Sequence, residues 1–330
     1  MRSPSDMPEP ATAGWIPEEP VGVPPLLQWP PRPKKILGYM FGFPGFYFPW
    51  IALYALFALA LWAALVAVGA ELKSFSLNWI APLVAFNLLL AIVVYGLWHH
   101  RLYSRRAQGT RFKYNPRWLA DEDKKFLFGR PTASNVFWTL GSGVPIWSAY
   151  AVVTLWAQAR GIAPTTTWAQ SPIYCTALMF ALPFFHAVHF YVFHRAIHWA
   201  PLYNTVHYLH HKNVNTSPWS GLAMHPVEHL IYFSGALLLW VIPSTPMHVL
   251  FLTTVVGLAP VHGHTGFGKV VLGRYTMDAD NYFHYLHHKF FTVNYGDPLL
   301  IPLDRLFGSF HDGTRRNPVA RHVGRGSKDT

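Results

Sequence analysis

Cysteine is almost missing from this chain of 330 residues, where Cys175 stands alone. No disulfide can close within it, and no iron–sulfur cluster or thiolate zinc finger can be assembled. Any metal must therefore be held by nitrogen and oxygen. Charge is scarce as well. Asp, Glu, Lys and Arg make up 12% of the residues, about half the share usual in a soluble domain. Acids are the scarcer sign, 15 against 26 basic residues, for a net charge of +11. A chain that is 52% hydrophobic with so little charge cannot cover a globular surface, so a bilayer is the expected solvent. The basic excess suits the anionic cytoplasmic face of a membrane. No compact basic stripe with interleaved aromatics is present, which sets nucleic acid aside as a partner. The first 35 residues lack the apolar core of a signal peptide; Asp6, Glu9, Glu18 and Glu19 lie among prolines instead.

Residues 1–35 read as a proline-rich arm, disordered or loosely docked, that ends in Arg32, Lys34 and Lys35. Residues 36–193 hold the membrane helices. Pro49 to Ala70 and Leu77 to Trp98 form a first hairpin; each is long enough for a hydrocarbon core of about 30 Å. The strongly basic loop 99–130 follows and belongs in the cytoplasm. Thr132 to Gln158, weakened by Gly141, Gly143 and Pro145, and Ser171 to Phe193 form a second hairpin. Arm, loop and the following histidine-rich cap, residues 194–312, then share one side. Within the cap, the apolar segment 230–260 is interrupted by Pro243 and Pro246 and reads as a shallow or re-entrant hairpin. Residues 313–330 form a basic tail. The expected fold is an all-α integral membrane protein, with about four transmembrane helices in two hairpins and a cytoplasmic helical cap.

What the chain has in abundance is histidine. There are 19, and 15 of them fall between His186 and His288. His194 and His198 are four apart and share a face on a helix. His207, His210 and His211 form HYLHH, which recurs letter for letter at His284, His287 and His288. Positions i, i+3 and i+4 converge on one helical face. Pro201 separates the first two helical pieces. Between the copies lie HPVEH, His225 to His229, and HGH, His262 to His264. Imidazole nitrogen suits Fe, Zn, Cu and Ni, and these clusters supply enough ligands for two ions. A single histidine is readily a satisfied interfacial residue. A repeated HxxHH beside HxxxH is not, because desolvating so many imidazoles without a shared partner is costly.

HRAIH and the two HYLHH copies are followed by NYG at Asn294 to Gly296 and DRLFGS at Asp304 to Ser309. Together they resemble the fatty acid hydroxylase/sterol desaturase superfamily over residues 175–312. HHKNVNTSP and HHKFFTVNYG are most similar to its sterol C5-desaturase and methylsterol oxidase branches. The resemblance implies a diiron membrane oxidoreductase, in the endoplasmic reticulum or a bacterial inner membrane. It implies two Fe ions, with Zn an alternative in isolated protein, and O2 as co-substrate. Hydroxylation or desaturation of a lipid C–H bond would take two electrons from a separate cytochrome b5- or ferredoxin-like donor. Carried over by motif, the ligands are His194, His198, His207, His210, His211, His225, His264, His284, His287 and His288. Asp280, Asn281, Glu228, His229, His262 and Asn294 are expected behind them, orienting the imidazoles. Where relatives often carry an acidic residue before HRAIH, this chain has His186 and His189, read as hydrogen-bonded core histidines, metal-site extensions or a proton path. Asp304 is expected to pair with Arg305. The aromatics of GFPGFYFPW, Gly42 to Trp50, are expected to form an interfacial belt or, less simply, to shape an apolar access route by which a lipid reaches the metal site. Two other classes compete. A divalent-metal transporter needs carboxylates along its path, and the expected spans contain no Asp or Glu. A zinc hydrolase needs a general base such as Glu228 beside an open metal site, but HPVEH is not the HExxH arrangement.

Overall fold

The computed structural model describes residues 14–279 and 281–314. Helix α1 (Pro33–Phe41) leads into the first hairpin, α2 (Trp50–Ala67) and α3 (Leu77–His99). Runs such as ALFALALWAALVA favour helix through Ala and Leu, and they are apolar all round, as lipid-facing helices are. Ser76 starts α3 by accepting from Asn78 N at 3.2 Å. The second hairpin is α4 (Pro131–Trp138), α5 (Val144–Ala159) and α6 (Pro172–Ile197). Four segments are long and apolar enough to cross a membrane: Trp50–Ala67, Leu77–Ser104, Pro131–Ala159 and Pro172–Ile197. Leu56, Leu89 and Val192 are among the large apolar side chains left exposed on them, and the protein is an all-α membrane protein. Gly141 and Gly143 do not end the third span. They form a π-turn, Thr139–Gly143, whose extra residue turns Thr139 Oγ1 toward the Trp219 carbonyl at 3.1 Å.

The apolar segment 230–260, expected as a shallow or re-entrant hairpin, packs among the spans. Helix α9 (Pro226–Phe233), after the cap helices α7 (Ala200–Leu202) and α8 (Tyr208–His211), continues as a 3-10 turn to Trp240, and α10 (Pro246–Leu258) returns. Every residue of α10 from His248 to Leu258 is buried. At 13 residues it is about 20 Å long, too short to span alone, and its uniformly apolar surface is covered by α2, α5 and α6. Gly257 permits this closeness, since a Cβ there would lie 2.6 Å from the Trp147 ring. The tip reaches the loop joining α5 to α6, far from the cap. Gln158 donates to Ser244 Oγ at 2.8 Å, and Ser244 N donates to Pro164 O at 3.3 Å.

The cap closes the other end. After α6 the chain breaks at Trp199, with Pro201 in the first turn of α7, then passes through a π-turn to α8. A two-stranded antiparallel hairpin, β1 (Lys269–Leu272) with β2 (Tyr275–Asp278), leads to α11 (Tyr282–Phe290), and α12 (Ile301–Leu306) follows. The described part of the arm is docked, not loose. Trp15 N donates to Lys113 O at 2.7 Å, and its ring stacks on Tyr114 at 5.9 Å. The basic loop is only partly solvated. Lys113 is 1% exposed and donates to Asn115 O, Arg117 O and Asn215 Oδ1 at 2.8, 3.0 and 3.0 Å. Burial lowers its pKa to about 7.

Candidate metal centre

Nine histidines from four separate places converge where the second hairpin meets the cap, in two adjoining groups. His194, His198, His207, His211 and His287 form one, and His210, His264, His284 and His288 the other; within each, the ligand atoms lie within 4.8 Å of one another. The elements explain the sorting. His194 and His198 end α6 one turn apart. Where the π-turn runs into α8, His207 and His211 point one way and His210 the other. On α11 the same pentapeptide is used in reverse: His284 and His288 join the second group and His287 the first. Each adjacent His–His pair thus divides between the groups, which sets them side by side; the rings of His211 and His288 are 4.9 Å apart.

Hydrogen bonds at the far side of the rings fix their tautomers. His194 Nδ1 donates to the Tyr295 carbonyl at 2.5 Å and His287 Nδ1 to the Val293 carbonyl at 2.6 Å. His264 Nδ1 donates to the Pro260 carbonyl at 2.9 Å and His210 Nδ1 to the Ala223 carbonyl at 3.4 Å. A carbonyl only accepts, so Nδ1 carries the proton and Nε2 presents a lone pair. Those of His264 and His210 face each other, the Nε2 atoms 3.2 Å apart. His287 Nε2 is 3.1 Å from both His198 Nε2 and His211 Nε2. Protonation does not relieve this, because burial lowers the pKa of His210 to about 4 and of His287 to about 3. Facing lone pairs in an apolar interior call for a cation between them. With metal–nitrogen bonds of about 2.1 Å, neighbouring ligands of an octahedral ion stand about 3.0 Å apart, and the closest Nε2 pairs measure 3.0 to 3.3 Å. The residues present fit two nitrogen-ligated ions.

The other predicted residues divide. Glu228 and His207 Nδ1 are 2.7 Å apart, both buried. Asn294, with a left-handed φ of 55°, donates to Phe283 O and His311 O at 3.2 and 2.9 Å and accepts from His311 N at 2.8 Å. That pins the Val293–Tyr295 carbonyls against α6 and α11. Gly296 completes the approach, since a Cβ would meet the Tyr191 ring at 2.8 Å. Asn281 caps α11 through Phe283 N at 3.1 Å. His225, expected as a ligand, joins neither group; its Nδ1 caps α9 by accepting from Val227 N at 3.2 Å. His229 is engaged on both sides, accepting from Ser142 Oγ at 3.0 Å and donating to Leu222 O at 3.1 Å. His262 lies tilted against Trp50, ring centroids 4.2 Å apart. Asp280 lies outside the described residues. Asp304 does not pair with Arg305; it accepts from Ser309 Oγ at 2.6 Å, while Arg305 lies over the Phe310 ring.

A cavity of about 580 Å³ runs from the membrane helices to these groups, lined by His194 and His207 of one and His210, His264 and His284 of the other. Its other walls include Phe46, Phe48 and Trp50 from the GFPGFYFPW segment, so those aromatics shape a cavity as well as an interface. The sequence left both roles open, because nothing local in an aromatic run says which side faces inward.

The profile of the fatty acid hydroxylase family matches residues 134–309, more than half the chain. The chain belongs to that family. Among curated proteins it is similar to Delta(7)-sterol 5(6)-desaturases. One from Aspergillus fumigatus is 33% identical over 150 residues, 38% of this chain and 45% of the relative. One from Saccharomyces cerevisiae is 30% identical over 132 residues, 40% of this chain and 35% of the relative. One from Candida albicans is 33% identical over 128 residues, 36% and 30% of the two chains. The match spans less than half the length of these three relatives. No solved structure matches the chain. The resemblance read from HRAIH and the repeated HYLHH is thereby borne out, the sterol desaturase branch included.

Proposed function

We propose that this member of the fatty acid hydroxylase family is a membrane diiron enzyme that uses O2 and two electrons to desaturate or hydroxylate a lipid. One observation carries the reading: two groups of imidazole Nε2 atoms at the inner end of an apolar cavity that reaches into the membrane helices. His194, His198, His207, His211 and His287 would hold one iron, and His210, His264, His284 and His288 the other. Bound iron supplies the activation of O2, an oxidising power no side chain has. The protein supplies the rest. The Tyr295, Val293 and Pro260 carbonyls hold the imidazoles in one tautomer, and Glu228 orients His207. The cavity desolvates the lipid and presents one stretch of it to the histidines. A Δ7-sterol is the substrate the named relatives suggest.

The electrons come from a separate reductant on the cytoplasmic side, where the positive-inside tendency of the 99–130 loop puts the cap, in an endoplasmic reticulum or bacterial inner membrane. A zinc hydrolase fits less well, because Glu228 is committed to His207. A metal transporter fits less well, because the four spans carry no Asp or Glu. The test is incubation of iron-loaded protein with a Δ7-sterol, O2 and a chemical reductant, read by mass spectrometry. The proposal expects a product two hydrogens lighter or one oxygen heavier, formed only when both O2 and reductant are present. Product formed without O2, or no product from any of a panel of sterols, fatty alcohols and ceramides, contradicts it.

A further inference from the structure

Two histidines of α6 line the cavity and belong to neither ligand group. His186 and His189 are three residues apart, on one face of the helix. The His189 tautomer follows from its neighbour. Ser234 Oγ donates its only proton to Ile231 O at 2.6 Å, so it accepts from His189 Nε2 at 3.0 Å. The proton of His189 therefore sits on Nε2, and Nδ1 is an acceptor; it is buried and has no partner. His186 is less satisfied still. Its Nδ1 is buried without a partner, and no hydrogen bond from the described residues engages its Nε2. A neutral imidazole with neither nitrogen paired leaves one donor and one acceptor unmet, beside the Phe190 and Tyr232 rings. Among the described residues no Lys or Arg lines the cavity, so none of them offers a counter-charge to a phosphate or carboxylate placed here. A hydroxyl group both donates and accepts, which is what the two rings lack.

We propose that His186 and His189 form a polar subsite, apart from the metal ligands, that receives the hydroxyl of an un-ionised lipid alcohol. Counted along α6, His186 lies about 12 Å before His194. The subsite therefore fixes how far along the lipid, from its hydroxyl, the oxidised carbon lies. The inference rests on the lipid-substrate reading above and narrows it to alcohols.

The test is equilibrium binding to the full-length, metal-loaded protein in detergent, followed by tryptophan fluorescence, to which Trp50 in the cavity wall contributes. The probes are a Δ7-sterol with its deoxy counterpart, and a fatty alcohol with the alkane of the same length. In at least one pair the alcohol should bind about tenfold more tightly, the effect of pairing otherwise unmet polar groups. In His186→Leu that preference should vanish while affinity for the deoxy partner and metal content stay unchanged. His186→Gln, which keeps a donor and an acceptor, should restore part of it. Equal binding of both members of each pair by the wild type, or an alcohol preference that survives His186→Leu, overturns the subsite alone. Failure of folded, metal-loaded wild type to bind any probe overturns it together with the lipid-substrate reading.

Discussion

The Glu228 carboxylate sits 2.7 Å from His207 Nδ1, and both side chains are buried. Burial alone raises the Glu228 pKa and lowers that of His207, so neither charge is comfortable without a third party. A cation at His207 Nε2 supplies it, because the imidazole can then donate from Nδ1 to an ionised carboxylate. Glu228→Ala should weaken metal binding by about tenfold or more, with Glu228→Gln in between. Titration of apo-protein with Fe(II) or Zn(II) measures it, and unchanged affinity in the alanine variant would separate Glu228 from the centre.

Asn294 ties the loop whose carbonyls hold His194 and His287 to α11 and to the segment at His311. Asn294→Ala removes three hydrogen bonds and leaves buried backbone groups unmatched. A loss of about 2 to 3 kcal/mol in stability is expected, with weaker metal retention. Denaturant unfolding with and without metal reads both effects; a change in neither would mean the loop is held by other contacts.

Acid should undo the centre in a defined window. Burial depresses the folded-state pKa of His210 to about 4 and of His287 to about 3, from 6.5. Groups with depressed imidazole pKa values contribute stability that is present above pH 6.5. Below that the unfolded chain binds protons first, and stability falls toward the folded values. Each such imidazole costs about 1.4 kcal/mol per pH unit in this window. Melting temperatures of apo-protein should fall steeply from pH 6.5 to pH 5, where several imidazoles titrate together, and more gently from pH 8 to pH 7, where buried Lys113 titrates. A flat profile throughout would mean these rings are solvated.

Ala187 lies on α6 in the cavity wall, 8% exposed. Ala187→Phe narrows the cavity without touching a ligand. Metal content should stay the same while KM for the lipid rises several-fold, since the bulk meets substrate before it reaches the histidines. Unaltered KM would place the lipid elsewhere.

Much of this was legible beforehand, and the remainder has a physical reason for being hidden. Charge-free runs of about 20 residues can do little but span a bilayer, so the four spans appear in the sequence nearly as they stand. The repeated HYLHH announces converging imidazoles because helical spacing is local. His225 stands outside the two groups: a histidine before proline suits a ligand or a helix cap equally, and only the fold turns its Nδ1 toward Val227 N. The role of NYG is non-local: Tyr295 serves His194 across 101 residues, and no pattern near either residue reports that. The depth of the 230–260 hairpin was hidden for the same reason. An apolar run does not say whether lipid or other helices will cover it, and α10 is covered by α2, α5 and α6. The docking of Trp15 beside Lys113 and the burial of Lys113 itself likewise depend on partners distant in the chain.

The most direct test is the metal content of detergent-purified protein, with each ligand group removed in turn. The account predicts about two ions per chain in the wild type. It predicts about one in His211→Ala/His287→Ala, which empties the first group, and about one in His264→Ala/His288→Ala, which empties the second. Absence of stoichiometric metal from folded wild-type protein, after reconstitution with iron and with zinc, would contradict it.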